Sequence, residues 1–321
     1  MFSRPRIVIS KCLTFDKCRY NGEVISDTFI DKIKPNVDFI PVCPEVEIGL
    51  GTPREPIRIV EIDGKNTLFQ PATEKIYTDE MVSFTDNYLK SLTDIDGFIL
   101  KNRSPSCGPG DVKIFKGFEK SAMAIRGSGF FAGEVIKRFP TAAIEDEGRL
   151  KNHQIREHYL TKLYTITRYR LIRSSMEMRD LIDFHSRHKL LLLAYNQSQY
   201  RICGRIVANH DKLKPEQVFV QYEQGLVNVF KKMPRYTSII NTLQHAFGWI
   251  SDGLSSREKS FFLNSIEEYR DERIPLSAIL QLFHSAAIRF NNTYLVNQVF
   301  LSPYPRELMD ITDSGKGRRE S

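Results

Sequence analysis

Three cysteines lie at equivalent positions after predicted strands. Cys12 follows one short apolar run by two residues, Cys43 ends the next run, and Cys107 lies six residues beyond a third. Because the carboxyl ends of parallel strands meet at one edge of a sheet, thiols from distant parts of the sequence can converge there. Proline and glycine residues around Cys43 and Cys107 leave backbone N–H groups free to donate to sulfur. The pattern predicts a shared metal or cluster site.

Several alternatives stay open for these thiols. A free cysteine often acts only as a small buried residue. Zinc held by three thiolates is possible, although structural zinc sites use four ligands and the chain has no CxxC pair. A cubane iron–sulfur cluster held by three cysteines leaves one iron open to substrate as a Lewis acid. A nucleophilic role for Cys107 would need a nearby histidine, and none precedes His153.

The other two cysteines have simpler interpretations. Cys18 could be a fourth ligand, but we interpret it as a residue that packs a loop. Cys203 lies on a predicted helix and is interpreted as a core residue. Five cysteines are an odd number at low density in a long chain, so we expect no disulfide framework.

Composition and charge limit the possible classes of protein. Apolar residues make up 41% and charged residues 26%, which is typical of a globular chain and excludes collagen-like or wholly disordered proteins. No apolar run approaches the roughly 20 residues that span a bilayer, and the N-terminus has no secretory signal, so we expect a cytoplasmic protein without membrane contact. Residues 1–150 contain 21 Lys and Arg against 22 Asp and Glu, whereas residues 151–321 contain 25 against 17. The basic second half indicates an acidic partner such as nucleic acid, or else a well-solvated helical surface.

The order of predicted elements indicates two domains, as the length of 321 residues also suggests. In the first half, apolar runs typical of buried parallel strands alternate with helical segments, which predicts an α/β fold with a Rossmann-like parallel sheet. The predicted strands are 6–10, 38–43, 97–101 and 141–145, and the predicted helices are 24–34, 73–92 and 121–139. Asp63 and Gly64 predict a β-hairpin turn.

After residue 150, apolar residues recur three and four apart, which predicts an all-α domain. Its predicted helices are 152–174, 177–195, 198–209, 214–232, 235–252, 255–271, 275–290 and 292–299. We therefore expect a cluster-binding domain at 1–150, a helical domain at 151–312 and a mobile tail at 313–321.

Several motifs of the first half resemble those of the thiouracil desulfidase family. They are Ser10-Lys11-Cys12-Leu13, Cys18-Arg19-Tyr20-Asn21-Gly22, Pro41-Val42-Cys43-Pro44-Glu45-Val46, Gly51-Thr52-Pro53-Arg54, Ser104-Pro105-Ser106-Cys107-Gly108 and Glu147-Gly148-Arg149-Leu150. Lys11 departs from the small residue that is usual there. The second half, with Phe184-His185-Ser186-Arg187-His188-Lys189 and Gly204-Arg205-Ile206-Val207-Ala208-Asn209, is similar to a helical domain fused to this catalytic domain in proposed tRNA 4-thiouridine desulfidases.

The resemblance implies a [4Fe–4S] cluster held by Cys12, Cys43 and Cys107, whose remaining iron would take the sulfur of the substrate. It also implies acid–base roles for Glu45 and Ser104, with Ser106 as the neighbouring alternative to Ser104. Glu45 would activate the water that replaces sulfur. The simpler interpretations are a loop-capping carboxylate for Glu45 and a turn-forming serine before proline for Ser104. Three further cations could hold a phosphate or a base oxygen, or could lie on the surface: Arg54, Lys101 and Arg103.

The basic second half would then bind the RNA substrate through phosphates. The candidate residues are Arg168, Arg170, Arg173, Lys189, Arg201 and Arg205. The alternative is that the run from Arg168 to Arg173 is a solvated helix face and that His185 and His188 are packing residues. A different class of function also stays open, namely an iron–sulfur or metal-binding adaptor or reductase whose helical domain binds a protein. The sequence does not distinguish free base, nucleoside and tRNA as substrates, and it leaves the oligomeric state open.

Overall fold

The structure, a computed structural model, describes residues 2–119 and 123–313. The chain divides into two compact units. The first contains residues 3–167 together with Thr312 and Asp313, and the second contains Phe2 and Arg168–Ile311. The first unit is built on a parallel sheet and the second is helical, so the predicted fold class is confirmed.

The described residues contain nine strands and twelve α-helices. The strands are β1 (Arg6–Ser10), β2 (Asp38–Val42), β3 (Arg58–Ile62), β4 (Lys65–Gln70), β5 (Lys75–Ile76), β6 (Gly97–Leu100), β7 (Val112–Phe115), β8 (Ala124–Gly127) and β9 (Ala143–Asp146). The helices are α1 (Thr28–Ile33), α2 (Pro44–Glu47), α3 (Thr78–Ser91), α4 (Phe130–Arg138), α5 (His153–Arg173), α6 (Met178–Tyr195), α7 (Gln197–Ala208), α8 (Pro215–Val229), α9 (Tyr236–Gly248), α10 (Ser256–Arg270), α11 (Leu276–Arg289) and α12 (Thr293–Val296).

The main sheet has four parallel strands in the order β2-β1-β6-β9. The central strands β1 and β6 are short and apolar because they are buried on both faces, whereas the edge strands β2 and β9 are only partly buried. Val8 and Phe98 pair in register at its centre, and Phe131 of α4 packs on the same core with all three side chains fully buried. Burying each such side chain contributes roughly 1.5–3 kcal/mol to folding. The order brings the carboxyl ends of β1, β2 and β6 side by side.

A second sheet has the order β5-β4-β3-β7-β8. The predicted hairpin is present in it: β3 and β4 are antiparallel, and the turn residues Asp63 and Gly64 have φ angles of 49° and 76°. Both lie in the left-handed region that a tight hairpin turn requires. Strand β3 also pairs with β7 in parallel, and β7 pairs with β8 in antiparallel fashion.

The predicted helix 121–139 is wrong in its first part. The helix α4 begins only at Phe130, and Ala124–Gly127 form strand β8 instead. Residues 121 and 122 lie outside the described residues. The apolar residues of this stretch do not distinguish the two structures, and β8 forms because its backbone pairs with β7, which the sequence analysis did not detect.

The helices of the second half agree closely with their predicted positions. Helix α5 contributes residues to both units, and the functional boundary after residue 150 remains a prediction. Asp313, where the predicted tail begins, accepts a hydrogen bond from the backbone N–H of His153 at 3.2 Å, and residues 314–321 lie outside the described residues. Within the described ranges, none of the helices combines the length and the apolar character that a membrane crossing requires.

Candidate active site

The ends of three neighbouring strands are joined by hydrogen bonds. The Lys11 N–H donates to the Val42 carbonyl at 2.8 Å, which joins the ends of β1 and β2. The buried Ser10 hydroxyl accepts from the Lys101 N–H at 2.9 Å, which joins β1 to β6. The loops that carry the candidate cysteines therefore start from one rigid edge of the main sheet.

Cys12, Cys43 and Cys107 all line one cavity of about 340 Å³ at this edge. We call it the cysteine cavity, and Cys18, Glu45 and Ser104 also line it. All four cysteines are buried, with exposed fractions between 4% and 8%. The convergence of the three predicted thiols is thus observed, whereas Cys203 is a fully buried residue of α7, as interpreted from the sequence.

The loop that carries Cys107 is held by the start of α4. The Phe130 and Ala132 N–H groups donate to the Pro105 and Ser106 carbonyls at 3.0 and 3.1 Å. Helix N-termini leave such donors without partners inside the helix, so the loop carbonyls satisfy them. At Gly129 a Cβ atom would lie only 2.5 Å from the Ser106 carbonyl oxygen, so the close approach of loop and helix requires glycine.

Glu45 lies on α2, two residues after Cys43, and both of its carboxylate oxygens accept hydrogen bonds. Arg54 donates to Oε2 from Nε at 3.0 Å and from Nη2 at 2.6 Å. Ser106 and Ser104 donate to Oε1 at 3.0 and 3.3 Å. The three polar residues predicted for acid–base chemistry therefore form one group, and its longest contact is that of Ser104.

The sequence analysis did not anticipate the partner of Glu45. Arg54 is 5% exposed and Glu45 is 12% exposed, so the two form a buried ion pair. Arg54 also donates to the Cys18 carbonyl at 3.0 Å. Lys101 also has an acidic partner, because its ammonium group contacts Glu147, and it contacts Asn102 as well. All three cations considered for binding phosphate or a base oxygen thus have acidic partners, and Arg103, which is 74% exposed, lies 3.4 Å from Asp111.

The surroundings of Cys43 and Cys107 raise the pKa of both thiols and so favour their protonated forms. A hydrogen bond with Cys18, followed by burial, raises the pKa of Cys43. Burial raises the pKa of Cys107, although hydrogen bonds with Ser10 and Ser104 oppose it. A nucleophilic cysteine needs a lowered pKa, so these surroundings do not favour that role for Cys107. A bound metal centre deprotonates its thiol ligands, so this buried donor set fits a cationic cluster.

Cys18 occupies a position between two of the predicted ligands. Hydrogen bonding with Cys12 raises the pKa of Cys18 to about 11, and Cys18 also hydrogen-bonds with Cys43. It therefore lines the site as well as packing the loop. Within residues 2–119 and 123–313, no three His, Cys, Asp or Glu side chains are grouped so that they could hold one metal ion. A cluster does not require such grouping, because each cysteine binds a different iron.

The basic residues of the second unit differ in burial and in their contacts with other residues. Half-buried Arg168 donates to the Pro303 carbonyl at 2.8 Å and lies over the Phe2 ring, with 5.1 Å between the guanidinium carbon and the ring centre. Exposed Arg173 pairs with Glu223 at 3.2 Å. Arg168 thus has a structural role in this unit, and the run from Arg168 to Arg173 is not a freely exposed basic face.

The other candidate cations lie on α6 and α7. Arg201 and Arg205 are exposed and one turn apart on α7, whereas Lys189 on α6 and Arg170 on α5 are half-buried. His185 is buried, its Nδ1 lies 3.0 Å from the Tyr222 hydroxyl, and burial lowers its pKa to about 4. Of the residues named for this region, Arg201 and Arg205 are the best exposed pair for phosphate contacts.

Two protein families match different parts of the chain, one in the first half and one in the second. The sequence model of a family described as 2-thiouracil desulfurase matches residues 7–147, which include Cys12, Cys43, Glu45, Ser104 and Cys107. A second family, described as protein of unknown function (DUF1722), matches residues 189–305. The first match contains the whole cysteine cavity, and the second contains most of the helical unit.

Two curated proteins and one solved structure are similar to this chain. Uncharacterized protein YbgA of Escherichia coli (strain K12) is 28% identical over 165 residues, which are 51% of this chain and 87% of YbgA. Uncharacterized protein YbbK of Bacillus subtilis (strain 168) is 34% identical over 135 residues, which are 39% of this chain and 86% of YbbK. The solved structure of the [4Fe-4S]-dependent thiouracil desulfidase TudS is 24% identical and covers 46% of this chain and 93% of its own, with a TM-score of 0.36.

Proposed function

The chain belongs to the 2-thiouracil desulfurase family, as its motifs predict, and we propose that it replaces the sulfur of a thiolated uracil by oxygen in the cysteine cavity. Water adds to the ring carbon, the C=S bond breaks, and sulfur leaves as hydrosulfide, so the reaction needs no net change of oxidation state. The observation that carries the proposal is the grouping of Cys12, Cys43 and Cys107 with Glu45 around one cavity.

We propose further that Cys12, Cys43 and Cys107 hold a [4Fe–4S] cluster and leave one iron without a protein ligand. Their burial and their origin in three separate loops at one sheet edge support this assignment. When bound, the cluster would supply a Lewis-acidic iron with affinity for the soft sulfur of the substrate. The thiolate ligands would stay reduced in the cytoplasm, which is the compartment we propose.

Glu45 would take a proton from the water that attacks the ring carbon. Glu45 accepts four hydrogen bonds from Arg54, Ser104 and Ser106, which fill the acceptor sites of its two oxygens, so the water must replace one donor or reach Glu45 through it. The Ser104 hydroxyl makes the longest of these contacts at 3.3 Å, and it accepts from the Cys107 N–H at 3.1 Å. The Ser104 oxygen also accepts from the Ser106 N–H at 3.2 Å, so both of its acceptor sites are occupied. The attacking water would have to displace one of these N–H groups before Ser104 passes a proton to Glu45, while Arg54 orients the carboxylate.

We propose tRNA that contains 4-thiouridine as the substrate, with the second unit as the part that binds the polynucleotide. The net positive charge of residues 151–321 and the exposed pair Arg201 and Arg205 support this proposal. Arg168, Arg170, Arg173 and Lys189 remain candidates for the same role. Unstacking of one thiolated nucleotide would be needed before its base could enter the cysteine cavity.

Release of sulfide under anaerobic conditions tests the proposal. Protein reconstituted with iron and sulfide, and freed of excess sulfide, is incubated with 2-thiouracil, 4-thiouridine and thiolated tRNA, and the uracil or uridine product is quantified together with sulfide. We expect equal amounts of the two products and fastest turnover with tRNA. Bound iron without sulfide release from any substrate would contradict desulfidation and favour the adaptor or reductase alternative.

A further inference from the structure

An exposed pair of aromatic residues lies on the surface of the helical unit. Trp249, which follows α9, is 55% exposed, and it is the only tryptophan in the chain. Its ring centre lies 4.4 Å from that of Tyr294 on α12, with 32° between the two ring planes. Single exposed apolar residues are common on protein surfaces, whereas adjacent exposed aromatic rings are typical of a binding surface.

Two amide side chains hold this aromatic pair in place. Asn292 donates to the Trp249 carbonyl at 2.9 Å and also caps the N-terminus of α12, so it joins the end of α9 to α12. Gln298, which follows α12 and is buried, accepts from the Leu190 N–H at 3.1 Å and donates to the Ser186 carbonyl at 2.9 Å. Helix α12 is thereby attached to both α9 and α6, so the two rings are positioned before any ligand binds.

A third aromatic residue, Tyr200 of α7, extends the pair. Burial raises the pKa of Tyr294 and the Tyr200 hydroxyl adds to the rise, so the two hydroxyl groups lie near each other. The Tyr200 ring is nearly parallel to that of His185 on α6, with 6.0 Å between the ring centres and 6° between the planes. Half-buried Tyr200 therefore connects the aromatic pair to α6 and α7. We call Tyr200, Trp249 and Tyr294 the aromatic surface.

Three cations adjoin the aromatic surface on α6 and α7. Arg201 follows Tyr200 directly, and Arg205 lies one turn further along α7. Lys189 lies one turn after His185 on α6 and adds to the lowering of the His185 pKa that burial causes. None of these three cations forms an ion pair within the described part of the chain. Uncompensated positive charge beside aromatic rings favours a ligand that has both anionic groups and flat rings.

We propose that the aromatic surface stacks with unpaired bases of an RNA chain while the adjoining cations contact its phosphates. Every base has a flat π face, and proteins that bind single strands combine aromatic rings with positive charge. A base that stacks on Trp249 or Tyr294 must first leave its own neighbours, so the surface selects single-stranded segments over duplex. The inference rests on the proposed binding of a polynucleotide by the second unit, and it assigns to that unit a preference for unpaired nucleotides.

Tryptophan fluorescence tests the stacking directly, because Trp249 is the single tryptophan of the chain. A base that stacks on the indole ring quenches its fluorescence. We expect a short single-stranded oligouridylate to quench Trp249, and an RNA duplex of the same length, whose base faces are covered, to bind without comparable quenching. Equal quenching by strand and duplex, or binding of the strand with unchanged fluorescence, would overturn the proposal.

Substitution of the rings gives an independent measurement of the same surface. In W249L/Y294L we expect the dissociation constant of a labelled oligouridylate, measured by fluorescence anisotropy, to rise about fivefold or more, because base stacking is lost. W249F keeps an aromatic face and should lose less affinity. The matched control is F261L, which replaces an exposed phenylalanine of α10 in the same way. Equal affinities of wild type and W249L/Y294L would contradict the assignment.

Salt dependence separates stacking from phosphate contacts. Loss of a stacked base lowers the affinity by a similar factor at every salt concentration, whereas loss of a phosphate contact makes the slope of log affinity against log salt shallower. We therefore expect W249L/Y294L to keep the wild-type slope at a lower affinity. A shallower slope in this variant would show that the rings only position the neighbouring cations, and would reject stacking.

Turnover distinguishes a failure of this inference from a failure of the proposed function. We expect W249L/Y294L to lose kcat/KM for thiolated tRNA and to keep the wild-type value for 4-thiouridine, which needs only the cysteine cavity. Unchanged kcat/KM for both substrates would reject the stacking surface and keep desulfidation. Quenching of Trp249 by single strands in a reconstituted protein that releases no sulfide would keep the stacking surface and reject the proposed function.

Discussion

Glu45 differs from an ordinary surface carboxylate because both of its oxygens accept hydrogen bonds from neighbouring side chains. Arg54 contacts one oxygen and two serines contact the other. Breaking a buried ion pair typically costs about 3–5 kcal/mol, so the pair strongly orients the carboxylate. The family resemblance implied acid–base roles for Glu45 and for Ser104, with Ser106 as the alternative to Ser104, but it did not reveal Arg54 as the partner of Glu45. That pairing depends on the path of the loop between them, where Gly49 and Gly51 have positive φ.

Replacing Glu45 by glutamine separates cluster binding from proton transfer. We expect E45Q to retain the visible absorption of the cluster and to lose at least about 100-fold in kcat, which is the usual contribution of general acid–base catalysis. Sulfide release and absorption measured on one reconstituted sample provide the check. Glu47 is exposed on the same short helix, so E47Q is the matched control. Near-normal turnover of E45Q would assign the proton to another group.

Buried His185 makes the stability of the protein depend on pH. Its pKa is lowered from 6.5 to about 4 because burial disfavours the charged ring. Between pH 6.5 and 4 the unfolded chain therefore binds a proton that the folded chain does not, so stability falls as the pH falls. The loss should reach about 3 kcal/mol at the low end of this window.

Denaturant unfolding of wild type and H185Q over this pH range checks the effect. The two curves should converge as the pH falls, since the variant lacks the titrating ring but can keep a hydrogen bond to Tyr222. Groups that titrate in both proteins, such as Asp146, cancel in the difference. Curves that stay parallel from pH 6.5 to 4 would contradict the buried neutral histidine.

The strands that position the cysteines could be predicted closely from the sequence. Strand β1 has the predicted bounds, and β2 and β6 each end one residue earlier than predicted. The apolar runs of β1 and β6 follow from their burial on both faces, whereas only Val42 of the edge strand β2 is buried. Strand β8 was missed because three of its four residues are exposed, so its formation depends on pairing with β7.

The close contact between Gly129, which precedes α4, and the Cys107 loop predicts the effect of replacing this glycine. In G129A the new Cβ would meet the Ser106 and Pro105 carbonyl oxygens at 2.5 and 2.8 Å, so the loop must shift. We expect a loss of about 1–3 kcal/mol in stability, typical of overpacking, and a lower iron content after reconstitution.

Gly133 of the same helix is the control for this substitution. Its nearest neighbour for an added Cβ is Ser128 at 3.8 Å, so G133A should fold normally and gain up to about 1 kcal/mol from helix propensity. Unfolding curves and iron analysis of the two variants provide the comparison. A G129A protein with wild-type iron content and stability would show that the loop does not depend on this close approach.

The two halves of the chain differ in net charge and match different protein families. The half with the cysteine cavity is nearly neutral, and the helical half has the net positive charge. If Arg201 and Arg205 contact phosphates, tRNA binding should weaken steeply with salt. In R201Q/R205Q the slope of log affinity against log salt should become shallower by about 1.4–1.8, near 0.7–0.9 per lost contact.

Binding of thiolated tRNA over a salt series measures this slope. R270Q/R273Q removes two exposed arginines of the same unit that pair with acids, so it controls for net charge. Turnover of free 4-thiouracil should be the same in all three proteins. Identical slopes for wild type and R201Q/R205Q would exclude this face of α7 as the phosphate contact.

The proposed catalytic centre depends on Cys12, Cys43 and Cys107 acting together as ligands. Its most direct test is iron and sulfide analysis, with visible absorption, of anaerobically reconstituted wild type and single cysteine-to-alanine variants. We predict about four irons and four sulfides per chain in wild type, C18A and C203A, and loss of the cluster in C12A, C43A and C107A. Zinc in place of iron, or an equal loss of iron in C203A, would contradict the claim.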